Sequence, residues 1–330
     1  MYPSAVSLSK ADRLTKPRFP EYSESIMERL GELAAFGTAV CYTASALFFE
    51  QASRRTGAQA VNFYKVVCAF FLLALSGLVL RGMPLPLDAP KTAWIYLPLS
   101  GLIGFVIADY FLFNAYILIG SRLTVLFQPL SPLFTALLGF VILGERMKPA
   151  ALVAMGLVVA GIAVVLASRG AARRGEGSRA RRSPVIFKGI VFALLSVFFN
   201  ALGLVFSKKG LSTGYDAVLG TEIRVITAIL GFGIQSLLIG QAKVVFVDAP
   251  KDRTAMAHTA IGSVFGPFLG VTMSLFALQH ASAGAASTLM ALTPVIIIVP
   301  AIFIQKQKIR PGEIIGAIMA VAGAALFFLF

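Results

Sequence analysis

Residues 121–166 read SRLTVLFQPLSPLFTALLGFVILGERMKPAALVAMGLVVAGIAVVL, and residues 283–328 read AGAASTLMALTPVIIIVPAIFIQKQKIRPGEIIGAIMAVAGAALFF. Adding 162 to each number places Ser131-Pro132 on Thr293-Pro294, Lys148-Pro149 on Arg310-Pro311 and Val159-Ala160-Gly161 on Val321-Ala322-Gly323, without a gap. Apolar filler aligns with itself anywhere, whereas prolines, glycines and charged positions held at one offset mark a duplication. The chain is two copies of one unit, each closing with two apolar segments around a charged turn.

The surroundings are equally apolar. Hydrophobic residues make up 58% of the 330, charged residues 13%, and the mean hydropathy is +0.84. An ordinary soluble fold has roughly 45–50% apolar and about 25% charged residues, so a multi-span membrane protein is expected, with the lipid bilayer as its solvent. The net charge of +14 would suggest a nucleic-acid partner in a soluble protein. Here the excess lies in tails and loops between apolar segments, as the positive-inside bias requires, and no nucleic acid is expected. Cys41 and Cys68 sit inside apolar segments, without the spacing of a disulfide framework or a metal cluster, so no cofactor or metal is expected.

In chain order, residues 1–30 read as a polar, largely disordered tail and residues 31–167 as the first half, with spans near Leu33–Phe49, Ala58–Leu80, Ala93–Ile119, Leu123–Leu143 and Pro149–Ala167. Residues 168–186 form an Arg-rich linker carrying Arg169, Arg173, Arg174, Arg179, Arg181 and Arg182. Residues 187–330 repeat the plan, near Phe187–Phe206, Ala217–Ile239, Ala257–Leu278, Ser282–Ile304 and Pro311–Phe330. Each segment is long enough for a hydrocarbon core of about 30 Å at about 1.5 Å per residue. The expected fold class is all-α integral membrane: ten transmembrane helices as two inverted five-helix repeats. Inversion follows because an odd number of crossings makes the second half traverse the membrane in the opposite sense, an architecture from which secondary transporters derive alternating access. Within the spans, Pro132 and Pro294 read as paired kinks. Lys and Arg are denser on the linker side than on the side of the termini.

Asp109-Tyr110-Phe111, Asn114-Ala115, Ile119-Gly120-Ser121-Arg122, Pro132, Leu143-Gly144-Glu145 and the Gly161 segment together resemble the EamA-type half of the drug/metabolite transporter superfamily, whose ten-helix members carry two such halves. The second half departs from the pattern, with Val271 at the place of Asp109 and Gln307 at that of Glu145. The resemblance implies a plasma-membrane carrier of a small polar metabolite such as an amino acid, typically an exporter and often driven by an ion gradient such as that of H+. It also implies cytoplasmic termini, opposite to the charge count.

Candidate substrate-binding residues are the polar groups inside spans. Asp109 lies deep in the third, where a charge costs about 2.5–3.5 kcal/mol on insertion scales unless a cavity or partner receives it. Tyr116 shares its face, and Asn114 lies beside it. Lys65 of the second span falls on Arg224 of the seventh at an offset of 159, each one turn after a polar residue, Asn62 or Thr221. Two cations on a cavity would favour an anionic or zwitterionic substrate; two that snorkel to headgroups would not bear on it. Tyr42 and Asn200 correspond at an offset of 158 and suit either the cavity or an interhelical hydrogen bond. Glu222, two residues from Arg224, reads as an interfacial acid. An integral-membrane enzyme acting on lipid would need a phosphate loop, HExxH, a paired-aspartate metal motif or GxSxG, and the sequence has none of them. A non-transporting scaffold would not need Asp109 and Lys65 inside spans.

Overall fold

The computed structural model describes residues 20–138, 141–142, 149–175, 184–212, 215–280, 289–303, 306 and 310–329. Among these every regular element is helical; each of the ten expected spans carries helix, and short helical turns at Val244–Asp248 and Ala249–Lys251 lie between the seventh and eighth. Arg29–Thr56, Ala58–Val79, Lys91–Ile119, Pro184–Ser207 and Val218–Leu238 are each long and apolar enough to cross a membrane, and shorter apolar helices cover Gly156–Ser168, Thr293–Phe303 and Pro311–Leu326. The charged turn at 143–148 and position 307 lie outside the described residues.

Close contacts at glycine reveal how the halves are related. In the fifth span, a Cβ on Gly161 would stand 2.5 Å from the Ala320 nitrogen and 2.6 Å from the Gly316 carbonyl of the tenth. In the tenth, a Cβ on Gly323 would stand 2.7 Å from the Val158 nitrogen and 2.9 Å from the Ala154 carbonyl. Subtracting 162 turns Gly323, Gly316 and Ala320 into Gly161, Ala154 and Val158, so each contact is the other with the halves exchanged. The same exchange relates the third and sixth spans to the eighth and first. Ser100 donates to the Gly203 carbonyl at 2.6 Å, and Ser45 donates to the Gly262 carbonyl at 3.0 Å, at matching positions with donor and acceptor swapped. Along each pair the numbering runs in opposite directions: Gly203 meets Gly104 while Gly189 meets Ile119, and Gly323 meets Ala154 while Gly312 meets Ser168. A two-fold that pairs antiparallel helices lies across them, in the membrane plane, as inverted repeats require. Close backbone approach at glycine suits helices in lipid, where no hydrophobic drive brings them together.

Four local features differ from expectation. The first helix begins at Pro20, so residues 20–30 are helical; Pro at the first helical position, followed by Glu, Ile, Met and Leu, favours this, and residues 1–19 lie outside the described residues. The fifth span's helix continues through the Ala- and Arg-rich start of the linker to Gly175, and the sixth begins at Pro184. The fourth span is broken into Ser121–Val125, a 3-10 turn at Gln128–Leu130 and Ser131–Leu138, and the ninth breaks before Thr293–Ile296. Pro132 and Pro294 therefore do not kink continuous helices. Each is the second residue of a new segment, in the first turn, where a missing N–H leaves no bond unmade. Finally, the third span passes through π-helical geometry at Leu102–Ile107 and the eighth at Val264–Gly270, again 162 residues apart.

A branched side chain at Gly161 or Gly316 should force the fifth and tenth spans apart. Gly161→Val and Gly316→Val are each expected to cost about 1–3 kcal/mol, seen as a lowered thermal midpoint. Gly156→Ala, with nothing within 4 Å of its Cβ, should leave it unchanged or slightly raised.

Candidate functional site

The broken and π-helical stretches converge on a cavity of about 580 Å³. Its lining repeats the duplication in space. Asp109 and Val271, Gln128 and Met290, Ser131 and Thr293, and Ala46 and Leu204 are corresponding residues of the two halves, and all face it. Both charges in the lining come from the first half, where Lys65 of the second span meets Asp109 of the third. The second half supplies Val225, Val271, Met290 and Ala291, with the hydroxyls of Thr221 and Thr293. The cavity thus has one charged pole in a largely apolar and aromatic wall.

At that pole the Lys65 ammonium donates to an Asp109 carboxylate oxygen at 2.5 Å, with both side chains nearly buried. The ammonium also lies 4.4 Å from the centre of the Phe113 ring and 5.8 Å from that of Phe49, an arrangement that replaces part of its lost hydration. Asn62, fully buried, donates from its amide to the Asp109 backbone carbonyl at 3.1 Å, holding the second and third spans at this height. Neither cation snorkels: Lys65 and Arg224 are each buried within the protein.

Of the eight candidates, Asp109, Lys65, Tyr42 and Tyr116 line the cavity. The other four do not. Arg224 stands one ring behind the wall, its guanidinium 4.3 Å from the centre of the lining residue Phe105 and within electrostatic reach of Asp109, with no partner for its Nε among the described residues. Asn62 is the brace just described. Asn114 donates to the Tyr110 carbonyl of its own helix at 2.7 Å, and Asn200 is half-buried on the sixth span, away from the lining. Glu222, read as an interfacial acid, is buried against the protein near the start of the seventh span, at the sixth residue of the helix that begins at Ala217.

On the linker side, ion pairs tie the ends of the spans together. Glu50, buried at the end of the first span, accepts from the Ser121 backbone N–H at 2.8 Å and from Arg54 at 3.0 Å. In this way it caps the helix that opens the fourth span, where free N–H groups and the helix dipole favour an anion. Next to it, Arg122 pairs with Glu313 of the tenth span, both buried, and Arg55 pairs with Asp252 at the start of the eighth at 2.9 Å. The duplication has no second set, since an offset of 162 places Gly284 at Arg122 and Ala151 at Glu313.

The sequence matches the EamA-like transporter family over residues 29–167 and again over 187–329, which together are most of the chain. The chain belongs to the EamA-like transporter family. Among curated proteins, none matches it. A solved structure described only as "Crystal structure of protein" is similar over 92% of this chain and 96% of that one, with a TM-score of 0.51 and 18% identity, a likeness of fold alone. Membership makes this a multi-pass membrane protein of a transporter family.

Several residues of this EamA-like site are not evident from the sequence: Phe49, Phe113, and the ties through Glu50, Arg122 and Glu313. The spacing of Glu50 and Arg54, four apart at the end of a span, is an available signal for one of them. No sequence pattern brings Arg122 to Glu313, 191 residues away.

Lys65→Met or Asp109→Asn alone leaves the partner charge buried and unpaired, and should cost about 3–5 kcal/mol; Lys65→Met with Asp109→Leu should recover most of the lost thermal stability. At the linker-side surface, the Arg55 hydrogen bond, with the Ala255 backbone N–H, holds the Asp252 carboxyl below the usual carboxylate range. Its contribution to stability is therefore fully present above the unfolded value of about 3.9 and is lost as pH falls through the lower folded value. Arg55→Ala should move the Asp252 titration upwards in a carboxyl-carbon NMR experiment; an unmoved titration would contradict the pairing.

Proposed function

We propose that the protein is a secondary active transporter of the plasma membrane, exporting a small zwitterionic metabolite such as an amino acid by alternating access. The observation that carries this reading is the Lys65–Asp109 pair set in a largely apolar and aromatic cavity wall. Within a low-dielectric interior an ion brings a desolvation cost of several kcal/mol that only a partner offsets. A zwitterion inserted between the two side chains replaces one ion pair with two, its carboxylate on Lys65 and its ammonium on Asp109, and adds no net charge. Arg224 behind Phe105 biases the same pole towards a carboxylate. The volume of about 580 Å³ lies within the range of small-molecule sites, roughly 300–1,000 Å³. It leaves room for an apolar side chain against Tyr42, Phe105, Val271 and Met290.

The inverted halves supply the two access states, and the linker-side ion pairs supply one closed end. Opening that end requires Glu50 to leave Ser121 and Arg122 to leave Glu313, so both ties act as a gate. The asymmetry of the gate gives a transporter of this kind two unequal ends.

The test is counterflow. Purified protein in liposomes preloaded with unlabelled phenylalanine should take up labelled phenylalanine faster than protein-free liposomes. Lys65→Met and the double variant Lys65→Met/Asp109→Leu should both abolish this, although the double variant folds stably. Preference for sugar phosphates or quaternary amines over zwitterions would overturn the substrate assignment.

A further inference from the structure

Glu222 lies on the seventh span, and among the described residues neither carboxylate oxygen has a hydrogen-bond partner although the residue is fully buried. Helical spacing puts it on one face with Val218, Leu219, Val225 and Ile229. Val218, Val225 and Ile229 pack with Val66, Ala69 and Leu73 of the second span, and Leu219 reaches Gly77 of the same helix. A carboxylate is thus enclosed between the second and seventh spans, next in sequence to Thr221 of the cavity wall.

The charged and titratable side chains described on the elements around it are engaged elsewhere. From the second span, Lys65 holds Asp109, the Tyr64 hydroxyl donates to the Val245 carbonyl, and Cys68 meets Ser263. From the third, Lys91 is exposed and Tyr96 lies under Lys209, while Asp88, before that span, accepts from Tyr215. On the seventh span itself, Asp216 caps the helix start, and Arg224 is two residues on, about 200° around the helix, against Phe105. No described cation faces Glu222. An ionised carboxylate without cation or donor in such a place carries its whole desolvation cost, whereas the neutral acid does not.

We propose that Glu222 is the proton-coupling site of this transporter. The carboxyl carries one proton while the second and seventh spans enclose it, as here, and takes that proton from water or gives it to water when movement between the access states parts them. The inference deepens the transport reading by naming the coupling ion and its carrier. Lys65 and Thr221, on these same two helices, touch the cavity, so movement that exposes Glu222 also moves the substrate's walls.

Two measurements on purified protein in lipid vesicles test it. Infrared difference spectra taken between acidic and alkaline buffer should show the C=O stretch of a protonated carboxyl. That band should be lost in Glu222→Gln, displaced in Glu222→Asp and kept in Asp109→Asn. An imposed pH gradient should drive accumulation of labelled phenylalanine by the wild type, and Glu222→Gln should lose this response relative to its own counterflow rate. A band that survives in Glu222→Gln, or accumulation that still follows the gradient in that variant, overturns the proposal. Wild-type vesicles that exchange no zwitterionic amino acid would sink the transport reading instead, and the infrared band alone would then decide whether Glu222 binds a proton.

Discussion

A lysine and an aspartate are held together inside a membrane protein because neither could be there alone. The Lys65–Asp109 contact organises its surroundings: Phe113 and Phe49 cover the ammonium, and Asn62 fixes the height of the third span against the second. The π-helical stretch at Leu102–Ile107 ends two residues before Asp109. Such a stretch adds a residue to a turn and rotates the side chains beyond it, a device found at functional sites. Its counterpart in the eighth span precedes Val271, so the backbone device is duplicated while the charge is not.

That contrast runs through the molecule. Where the halves must touch closely, symmetry is kept: Gly161 against Gly316 and Ala320, Gly323 against Ala154 and Val158, and Ser45 and Ser100 making reciprocal hydrogen bonds. Where charges are buried, symmetry is given up. Lys65 and Asp109 form one pole, and Glu50, Arg122 and Glu313 tie the ends of spans on one side. Packing constrains both copies alike, because any Cβ at those glycines meets backbone. Charges inside a membrane need only one place where they are compensated.

Much of this is legible in the sequence. The duplication, the ten spans and the inversion can be read because glycine, proline and apolar runs report backbone geometry directly. The pairing of Lys65 with Asp109 cannot, since periodicity assigns faces within a helix but says nothing of which faces meet. The same limit explains Arg224, read as a cavity residue and found one ring behind the wall, and Asn62, found bracing a carbonyl. The prolines mislead for a local reason. Pro132 and Pro294 lie inside apolar runs and read as kinks within one helix, yet the turns at Leu126-Phe127 and Ala291-Leu292 end the preceding helix first. Glu222 reads as an interfacial acid from its own helix alone, a view that says nothing of the second span packed on the seventh.

Transport in this scheme depends on a substrate that enters by parting one ion pair. A cryo-EM structure of the protein with phenylalanine bound in lipid nanodiscs tests this most directly. The expected result places the ligand's carboxylate within hydrogen-bond distance of Lys65 Nζ, its ammonium at the Asp109 carboxylate, and its ring against the wall formed by Tyr42, Phe105 and Val271. A bound ligand with the Lys65–Asp109 contact intact and both of its charges met elsewhere would contradict it.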